Sequence, residues 1–513
     1  MRHRLGIDVG GTNTDAVILD EQLRVVASVK SPTTEDTGDG IVAAVDAVLA
    51  RSGVDPGSIS HAMLGTTHCT NAIVERRGLS KVGVLRLGAP ATTAVPPLEG
   101  WPDDLRDAIG EHTYLIAGGL EHDGRGYSQI DDDEIRAACH RMRGHVDAVA
   151  VIGVFSPIDE RQEIRAAEVA SEVLSVPITR SACIGSIGLL ERENATVLNA
   201  ALKDTLTTLA QGFIAALHAR AIDAEVCIGQ NDGTLMRLDY ALEFPVLTIG
   251  CGPTNSIRGA AHLSAVADAL VVDIGGTTTD IGVLVNGFPR QSAEASDIGG
   301  IRTNFRMPDV LSFGLGGGTL VDIDGASVRI GPESVGHRIH SEALAFGGTK
   351  TTVTDIALAS GNASIPGVAE PSIDPTVRDA ALDRVRAMIE EAIDRMKPSA
   401  DAVPVVLVGG GSIVAPDNLD GVSEVIRPEH FGAANAVGAA LADVAGQVEK
   451  LYRVENGPAD ALADAAQEAH DRAIMAGAAA KTVEVVELEE LPLAYMEENT
   501  VMIRARAVGQ LAE

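Results

Sequence analysis

Nine residues occur twice in this chain. Residues 7–15 read IDVGGTNTD, and residues 272–280 read VDIGGTTTD. The alignment pairs Asp8 with Asp273, Gly10, Gly11 and Thr12 with Gly275, Gly276 and Thr277, and Asp15 with Asp280. No other feature constrains the fold as much. A strand that runs into Asp-x-Gly-Gly-Thr and turns straight back into a second strand predicts one hairpin in each half, and so a duplicated architecture.

The surroundings of the two copies repeat as well. Around the first, a strand ending at Val9 is followed by strands TDAVILD and LRVVASVKS about a turn at Asp20 and Glu21. A helix over 36–50, the strand HAMLGTT, the helix CTNAIVERRG and the strand KVGVLRLG come next. Around the second, ALVVDIGG, TDIGVLVNG and FPRQSAE read as three strands. An amphipathic helix over 377–396, the strand VPVVLVGGG and the helix FGAANAVGAALADVAG follow. Both halves thus read as a βββαβα unit of an α/β fold. Residues 187–221 read as one or two long helices, a candidate hinge. At 513 residues the chain exceeds one ordinary core, and the expected division is 1–182, 183–450 and 451–513. The last segment reads as a helix and two alternating strands, either a small αβ unit or an edge addition to one of the other sheets.

The repeated turn has a chemistry. Its glycines let backbone approach a ligand, its amides and threonine hydroxyls point at an anion, and the strand-end aspartate can hold a hydrated cation. One such hairpin is a weak signal; two suggest a grip on one polyphosphate from opposite sides. Asp8 and Asp273 are the candidate Mg²⁺-water ligands or water-orienting bases. Gly10, Gly11, Thr12, Asn13 and Thr14, with Gly275, Gly276, Thr277, Thr278 and Thr279, are the candidate phosphate cradle. Asp15 and Asp280 read as braces of their own hairpins. Two further glycine turns, with Gly317 and Gly318 in one and Gly409, Gly410, Gly411 and Ser412 in the other, are candidates for the nucleotide, the second of them under a purine ring. Neither matches a P-loop or a dinucleotide fingerprint.

These features resemble the ATP-binding folds of the actin, hexokinase and large heat-shock chaperone superfamily, two ribonuclease-H-like domains around a cleft. Within it, GTTHCTNAIVERRG, TIGCGPTNSIRGAA, VDIGGTTTDIGVL, RIGPESVG and FGGTKTTVTDIALASG resemble the hydantoinase/5-oxoprolinase A-type family. The resemblance implies ATP-dependent opening of a cyclic amide such as a hydantoin or lactam, often with a separate B-type subunit that carries out the hydrolysis. The tail segment EELPLAYMEENTVMIRARAVG resembles the ending of a shorter branch, whereas longer relatives carry a further C-terminal domain.

Thr66, Thr67, His68 and Asn71 are the candidate acceptor site, at a strand end and the first turn of a helix. His68 is open to two readings, an acid/base group or an N-terminal helix residue; family members commonly carry a small apolar residue there. Glu75 reads as solvated. Asp232 sits where the family usually has Ser-Asn-Gly-Gly, and sugar kinases place a base in a similar segment. It is either a base for a hydroxyl acceptor or an Asn-Asp-Gly turn residue. The first alternative makes the chain a small-molecule kinase; a regulatory ATPase acting on a partner protein is another. His122, Asp123 and Arg125 read as an exposed loop.

Charge excludes one class of partner. Forty basic against 72 acidic residues give a formal charge of −32, which repels nucleic acid and anionic membranes alike. Self-association would need a sizeable apolar patch, and a homo-oligomer stays open. Five scattered cysteines without a CxxC pair support neither a disulfide framework nor a zinc site. No apolar run approaches the roughly 18 residues of a membrane helix, and the first residues run straight into a strand without a leader pattern. A cytoplasmic enzyme is the expectation.

Overall fold

The computed structural model describes residues 2–10, 13–32, 37–185, 187–292, 296–304, 307–324, 327–361, 363–441, 443–454, 458–492 and 500–512. β1 (His3–Val9) pairs antiparallel with β2 (Asn13–Leu19), with Asp8 opposite Asp15. β3 (Val25–Pro32) continues the meander and sets Lys30 opposite Asp15. α1 (Thr37–Ser52) places Ile41, Val45 and Val48 on one face, and that face is buried against the sheet. β4 (Ile59–Thr66) then runs parallel to β1, with Gly65 beside Asp8, and α2 (His68–Glu75) begins two residues later.

The chain next builds a separate parallel sheet from β5 (Val82–Ala89), β6 (Thr113–Ala117), β7 (Ala148–Gly153) and β8 (Ile178–Arg180), in the order β6-β5-β7-β8. Its crossovers carry α3 (Asp103–Ile109), α4 (Asp132–Met142) and α5 (Arg161–Val173). Two helices, α6 (Leu189–Ala201) and α7 (Lys203–His218), lead back to the first sheet. There β9 (Glu225–Gly229) joins β4 in parallel, and β10 (Leu235–Arg237) joins β9 before α8 (Leu238–Glu243). The hinge expected at 187–221 is instead core. Residues 192–201 are all buried, and Glu193 forms a fully buried ion pair with Arg86 at 2.6 Å. A helix packed on every side cannot act as a hinge.

α9 (Cys251–Ser264) crosses to the second half. β11 (Ala269–Ile274) and β12 (Thr279–Val285) repeat the hairpin in the same register, Asp273 opposite Asp280. The third strand departs from the expected FPRQSAE. β13 (Phe288–Pro289) is two residues long, because Pro289 has no N–H for the ladder; residues 293–295 lie outside the described residues. A hairpin of β14 (Ser296–Ile298) and β15 (Ile301–Thr303) intervenes, and β16 (Val310–Phe313) pairs with β12, Ser312 opposite Asp280. β17 (Thr319–Asp324) and β18 (Ser327–Ser334) form a further hairpin. After α10 (Ile339–Glu342), α11 (Val353–Ala359) and α12 (Pro375–Met396), β19 (Val403–Val408) lies parallel to β11, and β20 (Val422–Ile426) parallel to β19.

α13 (Ala434–Ala439) is shorter than the helix expected over 431–446, whose last residues open β21 (Asp443–Arg453) instead. With β22 (Glu484–Pro492) and β23 (Thr500–Gln510), β21 extends the first sheet to nine strands, in the order β22-β23-β21-β10-β9-β4-β1-β2-β3. The tail is therefore an edge addition to the first half, and the sheets cut across the contiguous segments read from sequence. α14 (Ala459–Met475) packs on this extension through Ala461, Ala465, Ala469 and Ala473, small residues four apart that bring helix and sheet close.

The two halves repeat one α/β plan, an antiparallel hairpin whose first strand pairs in parallel with a later strand, and they are joined where α9 and α13 cross. A Cβ on Gly438 would stand 1.8 Å from the Asn255 carbonyl oxygen, and one on Gly259 1.8 Å from that of Ala434. Only glycine permits so close a crossing.

Candidate active site between the two hairpins

The two turns close alike. Gly10 N–H donates to the Asn13 carbonyl at 3.0 Å, and Gly275 N–H to the Thr278 carbonyl at 2.9 Å. Gly11 and Thr12 lie outside the described residues. What brings the copies together is one stretch of α9. Asn255 Nδ2 donates to Asp8 Oδ1 at 3.3 Å, and the next residue, Ser256, donates through Oγ to Asp273 Oδ2 at 2.5 Å. From α13, Asn435 Nδ2 bridges Asp8 Oδ2 and Asp15 Oδ2, both at 3.0 Å. Lys30 Nζ reaches Asp15 Oδ2 at 2.7 Å and lies 4.0 Å from where a Cβ of Gly410 would stand. The crossing helices thus tether an aspartate from each half, and β3 adds a cation.

Close carboxylates in a poorly solvated place repel, and their ionisation records it. Burial, and then the neighbouring Asp15, push the Asp8 carboxyl up to about 7. Burial also raises Asp273, opposed by the Ser256 hydrogen bond and by Lys30. Asp15 Oδ1 is buried without a hydrogen-bond partner. Among the described residues no group of three or more His, Cys, Asp or Glu is arranged to hold a metal ion.

The VGGGS turn joins this group. Gly409 adopts φ +84°, and a Cβ there would stand 2.1 Å from Asp273 Oδ1, so the turn lies directly on the second aspartate. Gly411 approaches the Gly275 carbonyl, and the Ser412 hydroxyl is buried without a hydrogen-bond partner. The other glycine turn differs from expectation. Gly317 N–H donates to the Gly275 carbonyl at 3.0 Å and Gly318 N–H to that of Gly276 at 2.7 Å, so both amides brace the hairpin and are not open to a phosphate. The hydroxyl of Thr279 is likewise engaged, donating to the Leu315 carbonyl at 2.7 Å. Thr14 is buried in β2, Asn13 begins that strand, and Thr277 and Thr278 lie in the more open turn.

The acceptor segment abuts the first hairpin. Thr67 Oγ1 donates to the Val9 carbonyl at 3.4 Å, and Thr66 exchanges hydrogen bonds with the Cys251 thiol at the start of α9. His68 N–H donates to Thr66 Oγ1, and burial, opposed by Glu75, lowers the imidazole pKa. Asn71 Nδ2 donates to Thr67 Oγ1 at 3.4 Å.

Asp232 does not join the group. Its Oδ1 accepts from the Thr234 backbone and hydroxyl, and its Oδ2 from Gln447 at 2.8 Å and Arg506 at 3.0 Å. Burial alone would raise its pKa, but Arg506, Thr234 and Gln447 more than reverse this and hold it below the usual carboxylate range. Arg506 belongs to β23, so Asp232 pins the added tail strands to the β9–β10 turn, a contact that sequence spacing could not foresee. Asp123 pairs with Arg125 inside its own loop.

Sequence reasoning missed Lys30, Asn255, Ser256 and Asn435. Lys30 was not legible from the turn at Asp20 and Glu21, which by itself would set Val26 opposite Asp15; the longer connection over 20–24 and a register shift at Leu19 bring Lys30 there. The other three depend on how two distant helices cross.

Comparison with known proteins bears on the family and the fold. The hydantoinase/oxoprolinase N-terminal region matches residues 4–174, and the hydantoinase/oxoprolinase region residues 192–364. The chain is 28% identical to caprolactamase subunit alpha of Pseudomonas jessenii over 468 residues, 86% of this chain and 66% of that one. It is 25% identical to the acetophenone carboxylase gamma subunit of Aromatoleum aromaticum over 392 residues, 70% of this chain and 53% of that one. It spans about half to two thirds of the length of such curated relatives. The crystal structure of the ATP-dependent caprolactamase from P. jessenii superposes with a TM-score of 0.77 at 20% identity, over 98% of this chain and 87% of that one. Nucleotide-free acetone carboxylase superposes with a TM-score of 0.70 at 18% identity, over 100% and 88%. At such identities these superpositions speak for the fold.

Proposed function

The chain belongs to the hydantoinase/oxoprolinase family, and from that premise we propose that it is the ATP-binding component of an enzyme that opens a cyclic amide, acting on the amide oxygen. The observation that carries the reading is the tether of Asp8 and Asp273 by the consecutive residues Asn255 and Ser256. One helical turn holds the carboxylates of both hairpins where a triphosphate between them would lie. Similar relatives are named as an ATP-dependent caprolactamase and as subunits of larger enzymes, which favours ATP and a B-type hydrolytic partner.

An unstrained amide carbonyl is a poor electrophile, so water needs it activated. In the step assigned to this chain the amide oxygen attacks the γ-phosphorus of ATP. The O–P bond forms, the bond to the β-phosphate bridge breaks, and ADP leaves with its electron pair. The ring N–H proton passes to solvent, leaving an O-phosphoimidate that is neutral at nitrogen and anionic at the phosphoryl group, whose carbon water can attack. Such a transfer is governed by position and charge. Lys30 neutralises phosphate charge beside Asp15, the Gly10 and Gly275 turns approach the chain of phosphates, and the Gly409 turn supports the nucleoside. Thr66, Thr67, His68 and Asn71 orient the acceptor beside Val9.

The raised Asp8 and Asp273, with the unpartnered Asp15 Oδ1, fit a divalent cation whose waters they would hold. Mg²⁺ bound there would supply charge neutralisation to the phosphates. No helix among the described residues is long and apolar enough to cross a membrane, and we place the reaction in the cytoplasm, where ATP is supplied. The kinase reading is not favoured, because Asp232 is engaged by Arg506, Gln447 and Thr234.

The test is ADP release by the purified chain with Mg²⁺ and ATP, across hydantoins, lactams, polyols and ketones, alone and with a B-type subunit. Lactam- or hydantoin-dependent release, lost in Asp8→Ala and Asp273→Ala, is expected. Polyol-dependent release with a stable phosphoester product would replace this reading with a kinase.

A further inference from the structure

The face of β1 that carries Asp8 also carries Gly6 and Arg4, two and four residues before it. α13 rests on the middle one, since a Cβ on Gly6 would stand 2.4 Å from the Ala436 carbonyl oxygen. Arg4 is therefore beyond that helix from the aspartate, about 13 Å back along the strand. α9 covers the same span. Its Asn255 donates to Asp8, and His262, about 10 Å further along the helix axis, donates through Nε2 to the Leu23 carbonyl at 2.9 Å.

Behind the crossing of the two helices lies a cavity of about 1080 Å³, room enough for a small organic ligand. The first half lines it with Arg2, Arg4 and His61; α9 and the second half line it with Arg258, His262 and Gly287. Arg258 spans the junction, donating to the Gly287 carbonyl at 2.6 Å and pairing with Asp443 of β21. Cations converge on the first-half wall. His61 is opposite Arg4 in the ladder, and burial, then the charges of Arg4 and Arg2, outweigh Glu225 and hold its imidazole below the ordinary pKa. The acids on the walls are committed: Glu21 accepts from the Arg2 backbone N–H at 2.7 Å, Asp20 from the Arg24 side chain at 2.8 Å, and Asp443 is held by Arg258. For a chain of formal charge −32, a cavity with three arginines and two histidines against three acids departs from the surrounding field. Guanidinium groups recognise carboxylate and phosphate oxygens through paired donors.

We propose that this cavity binds a small oxyanion, a carboxylate or a phosphate, between Arg2 and Arg4 and the end of α9, and that its occupancy opposes closure of the cleft on ATP. The inference rests on the reading of the cleft between the hairpins as an ATP site, and adds regulation to it. The sign follows from leverage. The helix crossing lies between the two openings, so a rotation of the halves that narrows the cleft widens the cavity. An anion that ties the cavity walls together resists the widening, and nucleotide binds less well. Opening a lactam at the expense of ATP releases two oxyanions, phosphate and the amino acid carboxylate, so the arrangement is suited to feedback from product.

The test titrates the purified chain with inorganic phosphate and, separately, with 5-aminovalerate, the acid that 2-piperidone yields on ring opening. Binding is read by calorimetry without nucleotide at constant ionic strength. Wild type is compared with Arg2→Gln, Arg4→Gln and Arg161→Gln; the last removes the same charge from the exposed start of α5, away from the cavity. Wild type should bind at least one of the two anions, which identifies the source. Affinity should fall by at least about tenfold in Arg2→Gln and Arg4→Gln and stay unchanged in Arg161→Gln. The Kd for ATP should rise with added anion to a plateau about tenfold above its starting value, and saturating ATP should weaken the anion by the same factor. A Kd for ATP that climbs without limit marks competition inside the cleft and overturns the proposal. So does a Kd that does not move, anion binding that neither cavity variant weakens, or no binding by the wild type. Each of these results leaves cyclic-amide activation standing. Absence of ATP binding, with the anion still held through Arg2 and Arg4, overturns the functional reading and the coupling with it, while the anion site stands.

Discussion

The two hairpins share a register and differ in what stands beside it. In each, the strand-end aspartate faces a second aspartate across the turn, Asp8 opposite Asp15 and Asp273 opposite Asp280. In the first copy the next strand is eight residues long and sets Lys30 opposite Asp15. In the second that place is taken by β16, which sets Ser312 opposite Asp280 and hydrogen-bonds it. The duplication kept the pair of carboxylates, and among the described residues the neighbouring strand sets a cation opposite the second aspartate in the first copy and a hydroxyl in the second. On the proposed reading, with a triphosphate between the turns, this difference in charge would distinguish its reacting end, and Lys30 would make that distinction.

The comparison breaks first at the residues both copies share. If Asp8 and Asp273 act together, Asp8→Asn and Asp273→Asn each lower lactam-dependent ADP release by about 10³-fold, measured at saturating ATP, while the folded protein persists. Release that falls in one variant alone would mean that a single hairpin holds the reacting phosphate. Next comes the feature that separates the copies. Lys30→Met is expected to lower kcat/KM for ATP by about 100-fold, whereas Ser312→Ala changes it by less than about threefold. Equal losses from the two would place the reacting end elsewhere.

The shared register was legible because a hairpin is local: four residues of turn fix which aspartate faces which, and period-two alternation fixes the faces. The three-strand meander that opens the first half followed from the same alternation, whereas in the second half the expected third strand gave way to β16. What the sequence could not show was contact between segments far apart along the chain. Asn435 reaches Asp8 only because Gly438 lets α13 lie on α9, and Asp232 meets Arg506 only because the tail strands extend the first sheet. The short helix at 434–439 was misjudged for a related reason. Its Ala-rich continuation has good helix propensity, but β10 offers a pairing partner at Val444, and tertiary pairing overrides propensity. Gly317 and Gly318 read as ligand-facing because glycine next to a strand signals close backbone approach; the approach is real, but to the second hairpin.

The difference between the copies also predicts stability. Asp15 is buried and bound by Lys30 and Asn435, so Asp15→Asn should destabilise the protein by about 2 kcal/mol, read as a lower denaturation midpoint in urea. A neutral or positive effect would mean that Lys30 finds its counterpart in Asp273 alone.

For Asp280 the sign reverses, and the effect is the smallest. Its neighbour is a hydroxyl, and burial pushes its carboxyl up to about 6 from an ordinary value of 3.8. The folded state then holds the proton more tightly than the unfolded state does, so stability falls as pH rises from about 3.8 to 6, and the deficit is complete above that. Two pKa units correspond to about 3 kcal/mol, but the residue is only half-buried, and solvent screening reduces this to about 1 kcal/mol. Asp280→Asn should therefore raise the midpoint at pH 8 by that much, with the advantage gone by about pH 4. Opposite signs for Asp15→Asn and Asp280→Asn, in residues that occupy the same register of a repeated turn, would show that Lys30 and Ser312 set the character of each copy. Equal signs would mean that the hairpins are interchangeable in stability and that their asymmetry matters only to the bound phosphates.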